Sequence, residues 1–261
     1  VTASETFTGT PTITSISTDS YDFSGLNSQN EYSFKVRSNC GLLDGNSEWS
    51  SSFSFTTLCG VYTPDYIEEF TTYLNSCWSE SEGPVSGPDL SDETSEWTSD
   101  NFVNSGNASA KVNLYTNNRN EWLLTPLFDL SVGGYEINLD VGLTVWNGTG
   151  ALDMGSDDTV RVMQSINGGI TWTTIQTWTV SNQPEHTGEN FSIEIPSVTS
   201  PIARFAIFAS DGTVDDSEDY DFFIDNFKVR TIPTCPVITD LEVSNTLSST
   251  SDLSWIPSGI E

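Results

Sequence analysis

Apolar and polar residues alternate in short runs along most of the chain, as in Glu31-Tyr32-Ser33-Phe34-Lys35-Val36-Arg37 and Thr159-Val160-Arg161-Val162-Met163. A period of two places every second side chain on one face, so each run predicts a strand buried on one side. Gly, Asn, Asp, Ser and Pro fill the intervals and supply the turns. Helical periodicity is hard to find anywhere. The pattern predicts an all-β chain of the sandwich or jelly-roll kind, in which two sheets share one core.

Composition divides the chain at Thr56-Thr57-Leu58-Cys59-Gly60 and again at Arg230-Thr231-Ile232-Pro233-Thr234-Cys235-Pro236, giving segments 1–58, 59–231 and 232–261. The first contains a Gly25-Leu26 turn ahead of Tyr32-Ser33-Phe34-Lys35-Val36-Arg37-Ser38, and then Phe53-Ser54-Phe55. It resembles the second half of a fibronectin type III domain, with Leu26 and Tyr32 in that family's packed corner. The last, with Val237-Ile238-Thr239-Asp240-Leu241-Glu242-Val243 and Leu253-Ser254-Trp255, resembles the first two strands of the same family, Trp255 standing as its core tryptophan. Together the ends make roughly one such domain, split in two.

Neither fragment has the strands to bury its own core, and a bare two-stranded edge invites another chain. The expected partners are therefore identical neighbouring repeats or subunits, joined head to tail into a filament or stalk. Covalent tandem repeats and separate chains completed by strand addition both fit. The plain alternative is a stretch cut from a longer protein.

The middle segment carries Glu68-Glu69-Phe70, Cys77-Trp78, Trp122-Leu123-Leu124-Thr125-Pro126 and Ile224-Asp225-Asn226-Phe227-Lys228-Val229. It resembles the MAM-like jelly-roll domains found between fibronectin type III repeats in secreted and surface proteins of Bacteroidetes-type bacteria. Ser165-Ile166-Asn167-Gly168-Gly169-Ile170-Thr171-Trp172 fits an Asp-box, with Asn167 in the Asp position. Its content is structural: a tight turn in which Asn167 and the two glycines take positive φ.

Charge narrows the functions. Eight Lys and Arg against 37 Asp and Glu give a formal net charge of -29, which repels nucleic acid and anionic lipid. No apolar stretch is long enough to insert in a membrane, and the N-terminus lacks a signal-peptide pattern, so the chain reads as a mature or excised piece of a secreted or cell-surface protein. The same acidity favours calcium, which takes hard oxygen ligands.

Enzyme chemistry finds little support. His186 is the one histidine and has no partner identifiable from sequence; a Gly-x-Ser-x-Gly elbow, a phosphate loop and a zinc motif are all missing. Paired carboxylates leave a glycosidase open by residue type alone. They concentrate in turns, however, namely Asp153 to Asp158 and Asp211 to Asp221. The chain is expected not to be an enzyme.

The family resemblance implies a calcium site on Glu69 and Asp225, near the first and closing strands. Asp153, Asp157, Asp216 and Asp221 are candidates for the same or a second site. Cys59 and Cys77 have a spacing consistent with a bridge across the first strand of the middle domain. The resemblance also implies that Cys40 pairs with Cys235 across the repeat boundary. The leading function is a structural or adhesive repeat. The alternative is a non-catalytic carbohydrate-binding module of a secreted multidomain enzyme, which takes glycans or surface polymers on some of Trp97, Trp122, Trp146, Trp172 and Trp178. At least three of these are expected in the core.

Overall fold

The computed structural model describes residues 13, 16–91, 94–196, 199–234 and 239–256. In chain order the elements are β1 (Glu31–Phe34), α1 (Gly41–Asp44), β2 (Phe53–Thr56), β3 (Val61–Tyr62), β4 (Tyr66–Glu68), β5 (Ser79–Glu82), β6 (Trp97–Asn101) and β7 (Ala108–Leu114). They continue with β8 (Asn120–Phe128), β9 (Tyr135–Val145), β10 (Thr159–Ser165), β11 (Thr173–Trp178), β12 (Glu189–Glu194), β13 (Ala203–Ser210), β14 (Tyr220–Thr231), β15 (Thr239–Ser244) and β16 (Asp252–Ile256). The protein is an all-β jelly-roll sandwich with a separate hairpin toward each end.

One six-stranded sheet of the sandwich runs β11-β10-β13-β8-β3, with β5 also on β8. The other runs β12-β9-β14-β7-β6, with β4 also on β14. From β7 to β10, and again from β12 to β14, successive strands alternate between the two sheets. That crossing defines the jelly roll. The alternation read from sequence fills the space between: Ile137, Leu139 and Val141 of β9 and Phe222 and Ile224 of β14 meet Leu123, Val162 and Phe205 of the facing sheet. Each such side chain contributes roughly 1.5–3 kcal/mol by leaving water.

A second apolar cluster lies on the opposite face of β8 and its neighbours, where Trp122, Leu124, Met163 and Phe208 pack with Trp172. The loop after β5 covers it. Gly83 bends there at φ +148°, where a Cβ would meet Asp89 N at 2.7 Å and Gly87 O at 2.8 Å, and its carbonyl accepts from Trp122 Nε1 at 3.0 Å. This cluster is thereby closed by the chain itself.

The Asp-box turn forms with a different division of labour from the one expected. Gly168 and Gly169 have φ of +74° and +98°, whereas Asn167 stays out of the left-handed region. Its side chain crosses the turn instead, Oδ1 accepting from Thr171 N at 2.9 Å and from Ser165 Oγ at 2.9 Å. The box is a hydrogen-bonded clasp.

The two end hairpins are two-stranded sheets, β1 with β2 and β15 with β16. In the first, Tyr32 lies opposite Phe55 and Phe34 opposite Phe53, so four rings share one face, while Ser33 and Ser54 lie on the other and hydrogen-bond at 2.7 Å. In the second, Val243 lies opposite Leu253, with Trp255 two residues on along β16. Phe53 is 70% exposed, and Trp255 is 50% exposed.

Candidate functional site

β14 changes neighbour halfway along. Tyr220–Ile224 pair with β7, and Phe227–Val229 pair with β4. Between them the register against β9 shifts, and Asn226 takes φ +49°, a conformation that asparagine tolerates better than most side chains. A bulge of this kind re-aims the side chains around it. Asn226 N–H donates to Asp225 Oδ1 at 2.6 Å, and its side-chain amide donates to Asp140 Oδ2 at 2.8 Å. Asp140 faces Asp225 across the ladder from β9, and Asn190 Nδ2 donates to its other oxygen at 2.7 Å.

Glu69 follows β4 and brings a third negative charge to this place. Burial, reinforced by Asp140 and Glu69, pushes the Asp225 carboxyl up to about 6, against the stabilising N–H of Asn226 and the Lys228 cation. Asp225 is only 4% exposed. Three carboxylates thus gather near the bulge, one of them buried, but no group of three or more His, Cys, Asp or Glu among the described residues is arranged to hold a metal ion. Glu68, by contrast, points inward and accepts the Phe70 N–H at 2.9 Å.

The other candidates lie elsewhere. Asp153 is exposed and accepts from Gln183 Nε2 at 2.9 Å. Asp157 and Asp216 join two loops at one end of the sandwich: Asp157 Oδ2 accepts from Thr213 N at 2.8 Å, and Asp216 accepts from Ser156 N. Asp221 is fully buried and accepts from Asn147 N at 2.8 Å, with Lys111 Nζ 3.4 Å away. Lys111 also pairs with Asp100 at 2.6 Å, so Asp221 already has a protein cation. Asp140 escaped the sequence reading because Ile137-Asn138-Leu139-Asp140-Val141 shows only an ordinary outward polar position. Cross-strand register is what makes it part of a cluster.

Cys59 and Cys77 are joined by a disulfide, with Cα atoms 5.7 Å apart. Cys40 is exposed, and Cys235 lies outside the described residues, as does any bond between them. Of the five tryptophans considered for a glycan surface, Trp97, Trp122 and Trp178 are buried in the fold and Trp172 packs on Trp122 at 5.3 Å. Trp146 alone among the five stands out, 53% exposed. A shallow acidic cavity of about 440 Å³ opens beside Glu82, Glu96, Arg119 and Glu121. No helix of the described residues is long and apolar enough to cross a membrane.

No protein-family model matches the sequence, and no curated protein matches it. Solved structures that resemble part of the chain include the K1 cleaved adhesin domain of Lys-gingipain from Porphyromonas gingivalis W83, at 15% identity over 64% of this chain and 98% of that one, TM-score 0.44. The K3 cleaved adhesin domain of the same protein gives 14% identity over 64% and 98%, TM-score 0.41. The module CsCBM6-3 from Clostridium stercorarium, solved with cellobiose, gives 12% over 66% and 98%, TM-score 0.36. Similarities this low assign the chain neither a family nor a function.

Proposed function

We propose that this chain is a non-catalytic structural or adhesive repeat unit of an extracellular or cell-surface filament or stalk, completed head to tail by a neighbouring copy. The observation that carries the reading is a pair of apolar faces that the described residues leave partly uncovered. On the β1–β2 face Tyr32 is buried, Phe34 and Phe55 are half-buried and Phe53 is exposed, and the β15–β16 face presents exposed Val243, Leu253 and Trp255. Two-stranded sheets are marginal alone, and each large side chain left in water forgoes roughly 1.5–3 kcal/mol. Two such faces are what a sandwich contains when its sheets pack together.

The corner geometry supports a fibronectin type III-like identity for this split sandwich. Tyr32 hydroxyl accepts the Asn27 N–H at 2.9 Å, the back-hydrogen bond of a tyrosine corner. In this reading β15–β16 of one repeat and β1–β2 of the next supply opposite sheets. Cys40 and Cys235 then meet across the boundary, so oxidised oligomers contain a Cys40–Cys235 linkage between copies. The test is the size of the full chain in solution: concentration-dependent oligomers support the reading, and a monomer at every concentration removes it.

Calcium at Glu69, Asp140 and Asp225 belongs to the same reading. Bound there, the ion neutralises the charge that gathers where β4, β9 and β14 meet, and so stiffens the repeat. The chain melts higher in calcium than in excess chelator if the ion is a structural cofactor; equal midpoints dispose of it. Of the five tryptophans on which a glycan-binding role would draw, Trp146 alone is exposed, and Trp122 and Trp172 pack beside the Gly83–Asp89 segment. Specific retention on a glycan array, lost in Trp146→Ala, would reverse that preference.

A further inference from the structure

We infer that Lys111 and Asp221 are poised to condense into an isopeptide bond, a covalent tie between β7 and β14 that releases one water. The tie does not depend on head-to-tail completion. Lys111 stands opposite Thr98 of β6 and Phe223 of β14. Asp100 and Asp221 lie two residues along from those positions on the same face of the sheet, a diagonal that a long side chain spans. Lys111 Nζ is 2.6 Å from Asp100 Oδ2 and 3.4 Å from Asp221 Oδ2.

The reacting pair is buried. Asp221 is 0% exposed and Lys111 7%. The turn at 102–104 covers this face: Phe102 meets Phe223 edge-on, ring centroids 6.3 Å apart, and Asn104 reaches Asp221. Burying an ammonium with a carboxylate costs solvation energy, whereas an amide carries no charge. Asp221 Oδ1 has no hydrogen-bond partner among the described residues, and condensation removes that atom. Oδ2 is well served, accepting the Asn147 N–H at 2.8 Å and the Asn104 side-chain amide at 3.5 Å.

The step balances without any further reactant. One ammonium proton passes from Lys111 to Asp100, which frees the Nζ lone pair. Nζ attacks Asp221 Cγ, and the negative charge that gathers on Oδ2 is held by the Asn147 and Asn104 N–H groups. The Nζ–Cγ bond forms and the Cγ–Oδ1 bond breaks. Oδ1 leaves as water, taking one proton back from Asp100 and one from the amine. Holding amine and carboxyl side by side replaces a bimolecular encounter, and the covered face excludes the water that would reverse the step. Asn147 Oδ1 also lies 3.5 Å from Nζ, but Asn147 is exposed, and attack on its side chain would release ammonia instead.

The test is the intact mass of the full chain, folded, aged and then reduced, followed by sequencing of its protease fragments. Wild type should weigh one water less than its sequence, with Lys111 and Asp221 in one branched fragment. Lys111→Arg keeps the charge but should show the full sequence mass. Asp100→Asn, which removes the proton carrier, should form the bond about a hundredfold more slowly. A wild-type chain at its full sequence mass would overturn the inference, whether or not the variants fold. So would a loss of ammonia in place of water, or a water loss that persists in Lys111→Arg or maps to other residues. An Asp100→Asn chain that cross-links as fast as wild type would overturn the proton transfer assigned to Asp100.

Discussion

Pro126 has no N–H to give, yet it stands in β8 with β13 on one side and β5 on the other. A proline in an inner strand needs a bulge, and here Thr125 and Pro126 together lie across from Phe205, where the register shifts. Thr125 Oγ1 repairs the ladder by accepting the Phe205 N–H at 3.0 Å. Thr125→Val keeps the shape and strands that buried N–H, so it should cost about 1–3 kcal/mol in a denaturant titration; a neutral outcome would mean that another acceptor reaches Phe205. The Thr-Pro pair is visible in the sequence, but its role is not, because the role depends on which strand lies opposite.

Glu121 shows the same limit in electrostatic form. Burial, with Glu82 and Glu96 nearby, pushes its carboxyl up to about 7, opposed by the Glu96 N–H and Arg119. A carboxyl raised above its unfolded value takes up a proton on folding, so its contribution to stability is complete below about pH 4.3 and is lost as pH rises toward 7. In chelator, Glu121→Gln should therefore resemble wild type near pH 5 and melt higher near pH 8. Parallel pH profiles for the two proteins would show that Glu121 is ionised throughout. No local pattern announces this group, since Asn120-Glu121-Trp122 reads as ordinary alternation.

Elements were legible in proportion to how local their cause is. The period of two marked the strands, and the apolar positions it put inside, such as Val160 and Val162, are inside. The clasp at Ser165–Trp172 was recognisable as a turn, though Asn167 works through its side chain and not its backbone. The bulge at Asp225–Asn226 was less accessible, because it arises where β14 exchanges β7 for β4. The Cys59–Cys77 bridge is the one covalent tie formed among the described residues, and it closes a short loop around β3 and β4. Loop-closure entropy gives it about 3 kcal/mol. Replacing both with Ser should lower stability by about that amount while the sandwich still folds, as circular dichroism and melting would record; no change would place the constraint elsewhere.

At the scale of the molecule, the all-β class followed from the repeated alternation, whereas the order of strands in the sheets did not, because pairing over long separations leaves no local mark. The packing of the Gly83–Asp89 segment on the Trp122 cluster was likewise hidden, and it is what turns Trp122 and Trp172 from candidate sugar platforms into packing. The two end hairpins were legible because their apolar faces are written in alternation too strong for an isolated pair of strands. Phe53→Asp and Trp255→Asp each block one of those faces, at opposite ends of the described chain.

The decisive measurement is sedimentation velocity of these two variants, separately and mixed in equal amounts. Head-to-tail completion predicts that neither variant grows beyond a monomer alone, while the mixture forms a one-to-one dimer through the two intact faces. A mixture that remains monomeric at concentrations where wild type oligomerises, or a wild type that is monomeric at every concentration, would contradict it, and the end hairpins would not be the halves of a shared sandwich.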